Sequence, residues 1–147
     1  MIPSSDDYFA PLLGDWEFDY VECTGIKAKG EWYFRRGLDG MAIVDIFICP
    51  SRATRDVNPQ PHAEYGMTIR TYNFGKCCWD MIYTCPKYTS SLQAEKEGDS
   101  IVCKNLKKPE NKWIFKEITG VSFHWQNVDI AEDGEEKVFC DIYANRL

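Results

Sequence analysis

Residues 30–50 read GEWYFRRGLDGMAIVDIFICP, and this stretch decides the predicted fold. Its two arms have the alternating or continuous apolar patterns of β-strands, and Gly37 and Gly40 in the link can supply the positive φ of a tight reversal. The second arm, 41–49, is nearly all apolar and carries a single carboxylate, Asp45, in its middle. Because so apolar a strand has to be covered, we predict a β-hairpin around which further strands close.

Strand patterns recur along the rest of the chain, separated by turn signals about every 8–12 residues. A helix of one or two turns is predicted before them, since Ser4 can cap it and Gly14 can end it. Strands do not alternate with helices, and no long repeat is visible, so we predict an all-β, single up-and-down antiparallel barrel of about ten strands that spans residues 1–147 as one domain. The predicted strands are 16–23, 27–37, 41–49, 64–73, 77–85, 89–97, 100–106, 112–119, 121–128 and 137–146.

The composition of the chain limits the kinds of molecule that the protein is expected to bind. The net charge of −6 and a pI near 4.9 disfavour nucleic acid and anionic membranes. No apolar run approaches the roughly 20 residues of a membrane-spanning helix. The first 16 residues carry acidic groups where a signal peptide has basic ones. We therefore expect a cytoplasmic protein.

Cysteine and histidine give little support for a metal or cofactor. The seven cysteines form no C-x-x-C pair, so reduced, buried thiols are favoured over a zinc site. His62 falls in the proline-rich stretch 51–63, which is predicted to be a loop at a barrel mouth. It is the one plausible donor to a haem. His124 alternates with Phe123 and Trp125 and is expected on the outer face. We predict no cofactor and no metal.

Several segments carry a family resemblance. Gly14-Asp15-Trp16 is a G-x-W motif at the first strand, and Arg146 ends the last strand, as in lipocalin-like (calycin) barrels, where an arginine often covers that tryptophan. The hairpin at 30–50, EYGMTIRTYN at 64–73 and KWIFKEITGVSFHWQ at 112–126 are similar to a family of uncharacterised bacterial lipocalin-like β-barrel proteins. The chain departs from that pattern at Arg35-Arg36, at Met67 and in its cysteine content. The resemblance implies the fold and, because the family has no settled activity, no mechanism.

Function in such a barrel depends on polar side chains that face its interior, since a buried charge needs a partner or a ligand. Alternation divides 64–73 into two mixed faces, and we take the face with Glu64, Thr68 and Arg70, which the resemblance shares, as inward. The same argument turns Asp45 inward from the hairpin. The candidate ligand-binding residues are Trp32, Asp45, Glu64, Thr68, Arg70, Trp79, Tyr83, Trp113, Glu117 and Trp125.

Two interpretations of this set stay open. Arg70 could bridge carboxylates in a purely structural ion-pair network, or it could bind an anionic ligand group while tryptophans stack on the ligand's apolar body. We predict binding of a small, largely apolar or aromatic molecule with an anionic group. The alternatives are a cofactor-independent isomerase, cyclase or lyase that uses inward carboxylates, and a filled barrel that binds proteins through its outer face. A small-molecule ligand is thus the expected partner, and a homodimer stays open.

Overall fold

A computed structural model describes residues 1–57 and 64–147. Over these residues ten antiparallel strands follow one another around a closed barrel, and the first pairs with the last. This arrangement confirms the predicted fold class. The strands are β1 Gly14–Glu22, β2 Lys27–Gly37, β3 Ala42–Cys49, β4 Glu64–Asn73, β5 Cys78–Thr84, β6 Thr89–Glu97, β7 Ser100–Asn105, β8 Asn111–Lys116, β9 Ser122–Ile130 and β10 Glu136–Arg146.

Side-chain alternation sets the interior of the barrel. Along β4, Gly66, Thr68 and Arg70 are buried, whereas the intervening Met67 and Ile69 are exposed. Successive side chains of a strand point to opposite faces, so the predicted inward face of β4 is confirmed. The same holds on β5, where Trp79, Met81 and Tyr83 are buried.

The β2–β3 reversal differs in detail from the prediction. Leu38 and Asp39 have φ values of 50° and 51°, Gly40 has 96°, and Gly37 has −139°. Gly37 is still extended because it pairs with Ala42 as the last residue of β2. The prediction that both glycines supply the positive φ is therefore right for Gly40 and wrong for Gly37.

The N-terminal segment closes one end of the barrel. It consists of two short 3-10 turns, Ser4–Asp6 and Ala10–Leu12, where the sequence predicted a short helix. Phe9 and Leu12 are fully buried. The Tyr8 hydroxyl donates to the Ala94 carbonyl at 2.8 Å, which fixes the segment to β6.

Arg146 fastens this segment to the start of β1. Its guanidinium lies 4.3 Å from the centroid of the Trp16 ring, as the family resemblance implies. It also donates to the carbonyls of Leu13 at 2.6 Å, Pro11 at 2.8 Å and Gly120 at 2.8 Å. A Cβ at Gly14 would lie 2.6 Å from Arg146 Nη1, and Gly14 has a φ of 119°, so only glycine suits this position.

The β3–β4 connection begins at the opposite end of the barrel, because alternate connections of an up-and-down barrel share an end. Its start is held on β2 by Arg52, whose Nη2 lies 2.9 Å from Glu31 Oε1. This ion pair lowers the pKa of Glu31 to about 2. Residues 58–63 lie outside the described residues, so the loop that the sequence predicts over 51–63 at a barrel mouth is described only in its first part.

Within the two described ranges, no helix has the length and apolar character needed to cross a membrane.

The Arg146 contacts predict a measurable effect on stability. Arg146→Ala should lower the free energy of unfolding by about 2–3 kcal/mol, because three carbonyls lose a charged donor and Trp16 loses its cation. Urea denaturation followed by tryptophan fluorescence measures this change.

Arg35→Ala is the matched control. Arg35 pairs with Asp15 on the surface, and its loss should cost no more than about 0.5 kcal/mol. Equal effects of the two substitutions would show that Arg146 does not fasten the N-terminal segment.

Candidate functional site

The interior contains a cavity of about 130 Å³ on the side away from the N-terminal segment. Its wall is mostly aromatic, with a few polar groups at the inner end and at the mouth. Eight of the ten candidate residues line it: Trp32, Asp45, Glu64, Thr68, Arg70, Tyr83, Trp113 and Trp125. The structure therefore brings most of the predicted set together, while their role in binding remains a prediction.

The inner end of the cavity is formed by Asp45 and Arg70. Arg70 Nη1 lies 2.6 Å from Asp45 Oδ2, and the two side chains are 2% and 0% exposed. Cross-strand register explains the contact, since Asp45 of β3 stands opposite Thr68 of β4, and Arg70 is two residues further on the same face. The two charges compensate each other inside the barrel.

The Asp45 carboxylate is surrounded by donors, since the side chains of Trp32 and Thr68 approach it as well as Arg70. Arg70 Nε, by contrast, is buried and has no hydrogen-bond partner among the described residues. Because Arg70 lines the cavity, this N–H can donate to a polar atom placed there.

Aromatic rings enclose the guanidinium. Arg70 Cζ lies 4.8 Å from the Phe9 ring centroid, 5.5 Å from that of Phe34 and 6.0 Å from that of Phe115. Phe9 comes from the N-terminal segment, so this segment packs directly on the charged group. The rings stabilise the cation by their quadrupoles and hold it at the inner end.

Burial affects the acidity of Asp45. Removal from water raises the pKa of the Asp45 carboxyl, and the positive charge of Arg70 opposes that rise, as do the Trp32 and Thr68 side chains. The raised pKa reflects the energetic cost of burying a carboxylate, and the positive charge of Arg70 stabilises the ionised form of Asp45.

The mouth carries a second carboxylate, Glu64, at the start of β4. Its oxygens accept hydrogen bonds from the Tyr83 hydroxyl at 2.6 Å and from the Tyr88 hydroxyl at 3.1 Å. Burial, together with the Glu64 carboxylate, raises the pKa of both tyrosines. Their hydroxyls therefore remain protonated and donate.

Two candidate residues lie elsewhere. Trp79 is buried at the closed end, where its Nε1 donates to the Asp6 carbonyl at 2.8 Å.

Glu117 lies outside the barrel. The predicted strand 112–119 puts Glu117 on the inward face, but this strand is longer than the one in the structure. β8 ends at Lys116, Glu117 has a φ of 52°, and its side chain is 77% exposed near His124. The inward placement of Glu117 is wrong.

Some lining residues were missed by the sequence analysis. Asn127 continues the alternation of Phe123 and Trp125 along β9 and could have been found from it. Phe139 and Cys140 are adjacent, yet both line the cavity, because the register of β10 shifts between Val138 and Cys140. An irregularity of this kind breaks the two-residue period and is not visible in the sequence. The other lining residues outside the candidate list are Tyr20, Phe47, Cys49, Tyr88, Phe115 and Ile142.

Two thiols contribute apolar surface to the wall. Burial raises the pKa of both Cys49 and Cys140 to about 12, so neither is a thiolate at neutral pH. All seven cysteines are free. Those that are buried are Cys49, Cys78, Cys103 and Cys140, whereas Cys23 and Cys77 are exposed and Cys85 is intermediate.

His124 lies on the outer face, as expected. Its Nε2 is 2.7 Å from Asp141 Oδ1, and its ring stacks on Tyr143 at 4.5 Å. His62 lies outside the described residues. Among the described residues, no three His, Cys, Asp or Glu side chains are grouped as metal ligands.

These features define the protein as a closed ten-strand antiparallel β-barrel over its described residues, with an aromatic cavity inside. No family model matches the chain, and no curated protein matches it. The crystal structure of Rv2717c from M. tuberculosis is similar, with 11% identity, coverage of 100% of this chain and 99% of that chain, and a TM-score of 0.56. A redesigned beta barrel is 12% identical over 94% of this chain and 93% of that chain, with a TM-score of 0.49. The likeness to Rv2717c supports the barrel fold alone, and membership of a lipocalin-like bacterial family remains a prediction.

The buried pair predicts strong energetic coupling. Arg70→Met should lower the free energy of unfolding by about 3–5 kcal/mol, because it leaves the Asp45 carboxylate buried without a counter-charge. The double variant Arg70→Met/Asp45→Leu should regain most of that loss. Chemical denaturation of the single and double variants measures the coupling.

The surface pair of Lys29 and Asp19 provides the control cycle, and its removal should leave stability unchanged within error. A double variant at 45 and 70 that is no more stable than Arg70→Met alone would contradict the coupling.

Proposed function

We propose that the protein binds one small, largely aromatic molecule inside the barrel. The observation that carries the proposal is the cavity itself, with a volume of about 130 Å³. An apolar cavity of about 150 Å³ holds one benzene ring. The dimensions therefore fit a compact molecule of one or two rings, and the wall of tryptophan, tyrosine and phenylalanine side chains suits its faces.

Access from one end supports the same proposal. Tyr88 and Phe139 at the mouth are 41% and 36% exposed, whereas Asp45 and Arg70 at the inner end are buried. The N-terminal segment closes the other end with Phe9 and Leu12. A ligand would enter at the mouth and reach the Asp45–Arg70 pair with its leading edge.

An anionic ligand group is less well supported than the cavity. Such a group would have to displace Asp45 from Arg70, which lies 2.6 Å away. Displacement would leave the Asp45 carboxylate buried without its counter-charge. The unpartnered Arg70 Nε–H could donate to a neutral polar atom of a ligand at no such cost.

The enzyme alternative would use Glu64 and Tyr83 as base and acid. Their 2.6 Å contact gives the required proximity. However, burial and Glu64 raise the pKa of Tyr83, so its phenol releases a proton reluctantly at neutral pH. Binding without chemistry is the simpler account of this arrangement.

An association role has its own supporting observation. Exposed apolar side chains cluster on the outer face of β3, β4 and β5, where Met67 stands opposite Ile46, and Ile69 stands opposite Ile82. All four are 43–50% exposed. A second copy of this chain, covering this face, would form the homodimer that the sequence analysis left open.

The binding proposal is tested with phenol and indole as probes. Both should raise the melting temperature of the wild-type protein in proportion to their occupancy. Cys140→Phe, which places a ring in the cavity, should weaken both probes at least about tenfold, because it removes the space that they would fill. Calorimetric titration and thermal melts measure these effects.

Cys23→Phe is the matched control, since it makes the same substitution at an exposed thiol that does not line the cavity. A folded Cys140→Phe variant that binds the probes as tightly as Cys23→Phe would place binding outside the barrel and would contradict the proposal.

A further inference from the structure

We infer that the mouth of the cavity selects molecules with an ammonium group on a compact aromatic body, and that Glu64 is the counter-ion of that group. This inference rests on the binding function proposed above and names the charge class of its ligand. It reverses the preference for an anion that the sequence suggested.

The first support is the charge balance of the lining. The described residues of the cavity wall include one guanidinium, Arg70, and two carboxylates, Asp45 and Glu64. Arg70 and Asp45 compensate each other at 2.6 Å. Within the described part of the chain, no salt bridge joins Glu64 to a cation, and its two hydrogen-bond donors are neutral hydroxyls. The described residues of the lining therefore carry a net charge of −1, which lies at the mouth.

The second support is the number of hydrogen bonds that the Glu64 carboxylate can still accept. A carboxylate offers about four lone-pair sites, and the two tyrosine hydroxyls occupy two of them. Glu64 is only partly buried, so its remaining sites can accept from a ligand that still keeps some water. An ammonium bound at this depth loses less hydration than one bound beside Asp45.

The third support is the ring cluster that begins at the two tyrosines bound to Glu64 and continues along the cavity wall. The Tyr83 ring centroid lies 5.6 Å from that of Tyr88 and 5.3 Å from that of Trp113, and Trp113 lies 5.9 Å from Trp125. The faces of electron-rich rings attract cations within about 6 Å. The carboxylate and the rings thus act in the same direction: both favour a cation at the mouth and both penalise an anion.

The position of the ammonium group also determines where the apolar part of the ligand lies in the cavity. With the ammonium at Glu64, the body of the molecule extends inward and packs against Trp32 and Phe47, which touch each other edge to face and together form part of the cavity wall. The cavity is too small for a long chain, so a single ring with a one-carbon or two-carbon amine arm fits the space.

Three probes of nearly equal shape separate the charge classes: benzylamine, which is a cation at pH 7, benzyl alcohol, which is neutral, and benzoate, which is an anion. Calorimetric or NMR titration of the wild-type protein should show benzylamine at least about tenfold tighter than benzyl alcohol, with benzoate weakest. Raising the salt concentration should weaken benzylamine binding and leave benzyl alcohol unchanged.

Glu64→Gln tests the residue itself. It should reduce benzylamine affinity to that of benzyl alcohol, while benzyl alcohol binding stays within about twofold of wild type. Glu97→Gln is the control, because Glu97 pairs with Lys104 on the surface and does not line the cavity, and it should leave all three affinities unchanged. Near-UV circular dichroism checks that each variant is folded.

The outcomes separate the two proposals. If none of the three probes binds, the proposed function itself fails. If benzyl alcohol or benzoate binds as tightly as benzylamine, and Cys140→Phe abolishes that binding, the cavity binds ligands but the selection for a cation is overturned. Benzylamine selectivity that persists in folded Glu64→Gln overturns the assignment to Glu64.

Discussion

The ion pair of Arg70 and Asp45 constrains the whole interior of this barrel. A guanidinium can be buried only beside a counter-charge, and Asp45 reaches it because β3 and β4 are paired in a register that sets the two residues diagonally on one face. The aromatic rings of Phe9, Phe34 and Phe115 then cover the cation from the closed end. Among the described residues, the pair and these rings thus separate the packed closed end from the cavity that lies towards the mouth.

The two ends of the barrel therefore differ in chemistry. The N-terminal segment, fastened by Arg146 and Trp16, makes one end a packed core in which Trp79 also belongs. The other end keeps a cavity whose polar groups are Glu64 and the tyrosines that donate to it. This division explains why eight candidate residues share a wall while Trp79 lies apart from them. It also gives a ligand one direction of entry, with the compensated pair at the inner end and, at the mouth, a carboxylate that has no cationic partner among the described residues.

Local periodicity, together with the family resemblance, accounts for what the sequence predicted well. Alternation along β4 put Glu64, Thr68 and Arg70 on one face, and the resemblance led us to take that face as inward. The same argument turned Asp45 of the apolar hairpin inward. The prediction was wrong where a strand end decided the outcome: Glu117 leaves the sheet through a positive φ just after β8. Phe139 and Cys140 were missed because a register shift in β10 turns both towards the cavity. Tyr88 belongs to a connection, where no period exists.

Charge compensation could not be decided from the sequence either. Two interpretations of Arg70 stayed open, an ion pair with inward carboxylates and an anionic ligand group, and the 2.6 Å distance to Asp45 shows that its charge is already matched. What the sequence supplied was the set of polar groups inside the barrel; how they pair depends on register, which is a property of the closed sheet.

A crystal structure of the protein soaked in phenol tests the central claim most directly, namely that an accessible cavity lies above an intact Arg70–Asp45 pair. The account predicts density for one phenol ring between Trp32 and Tyr83, with the ion pair unchanged. An interior filled by repacked Trp113 and Trp125, with no density for phenol, would contradict it.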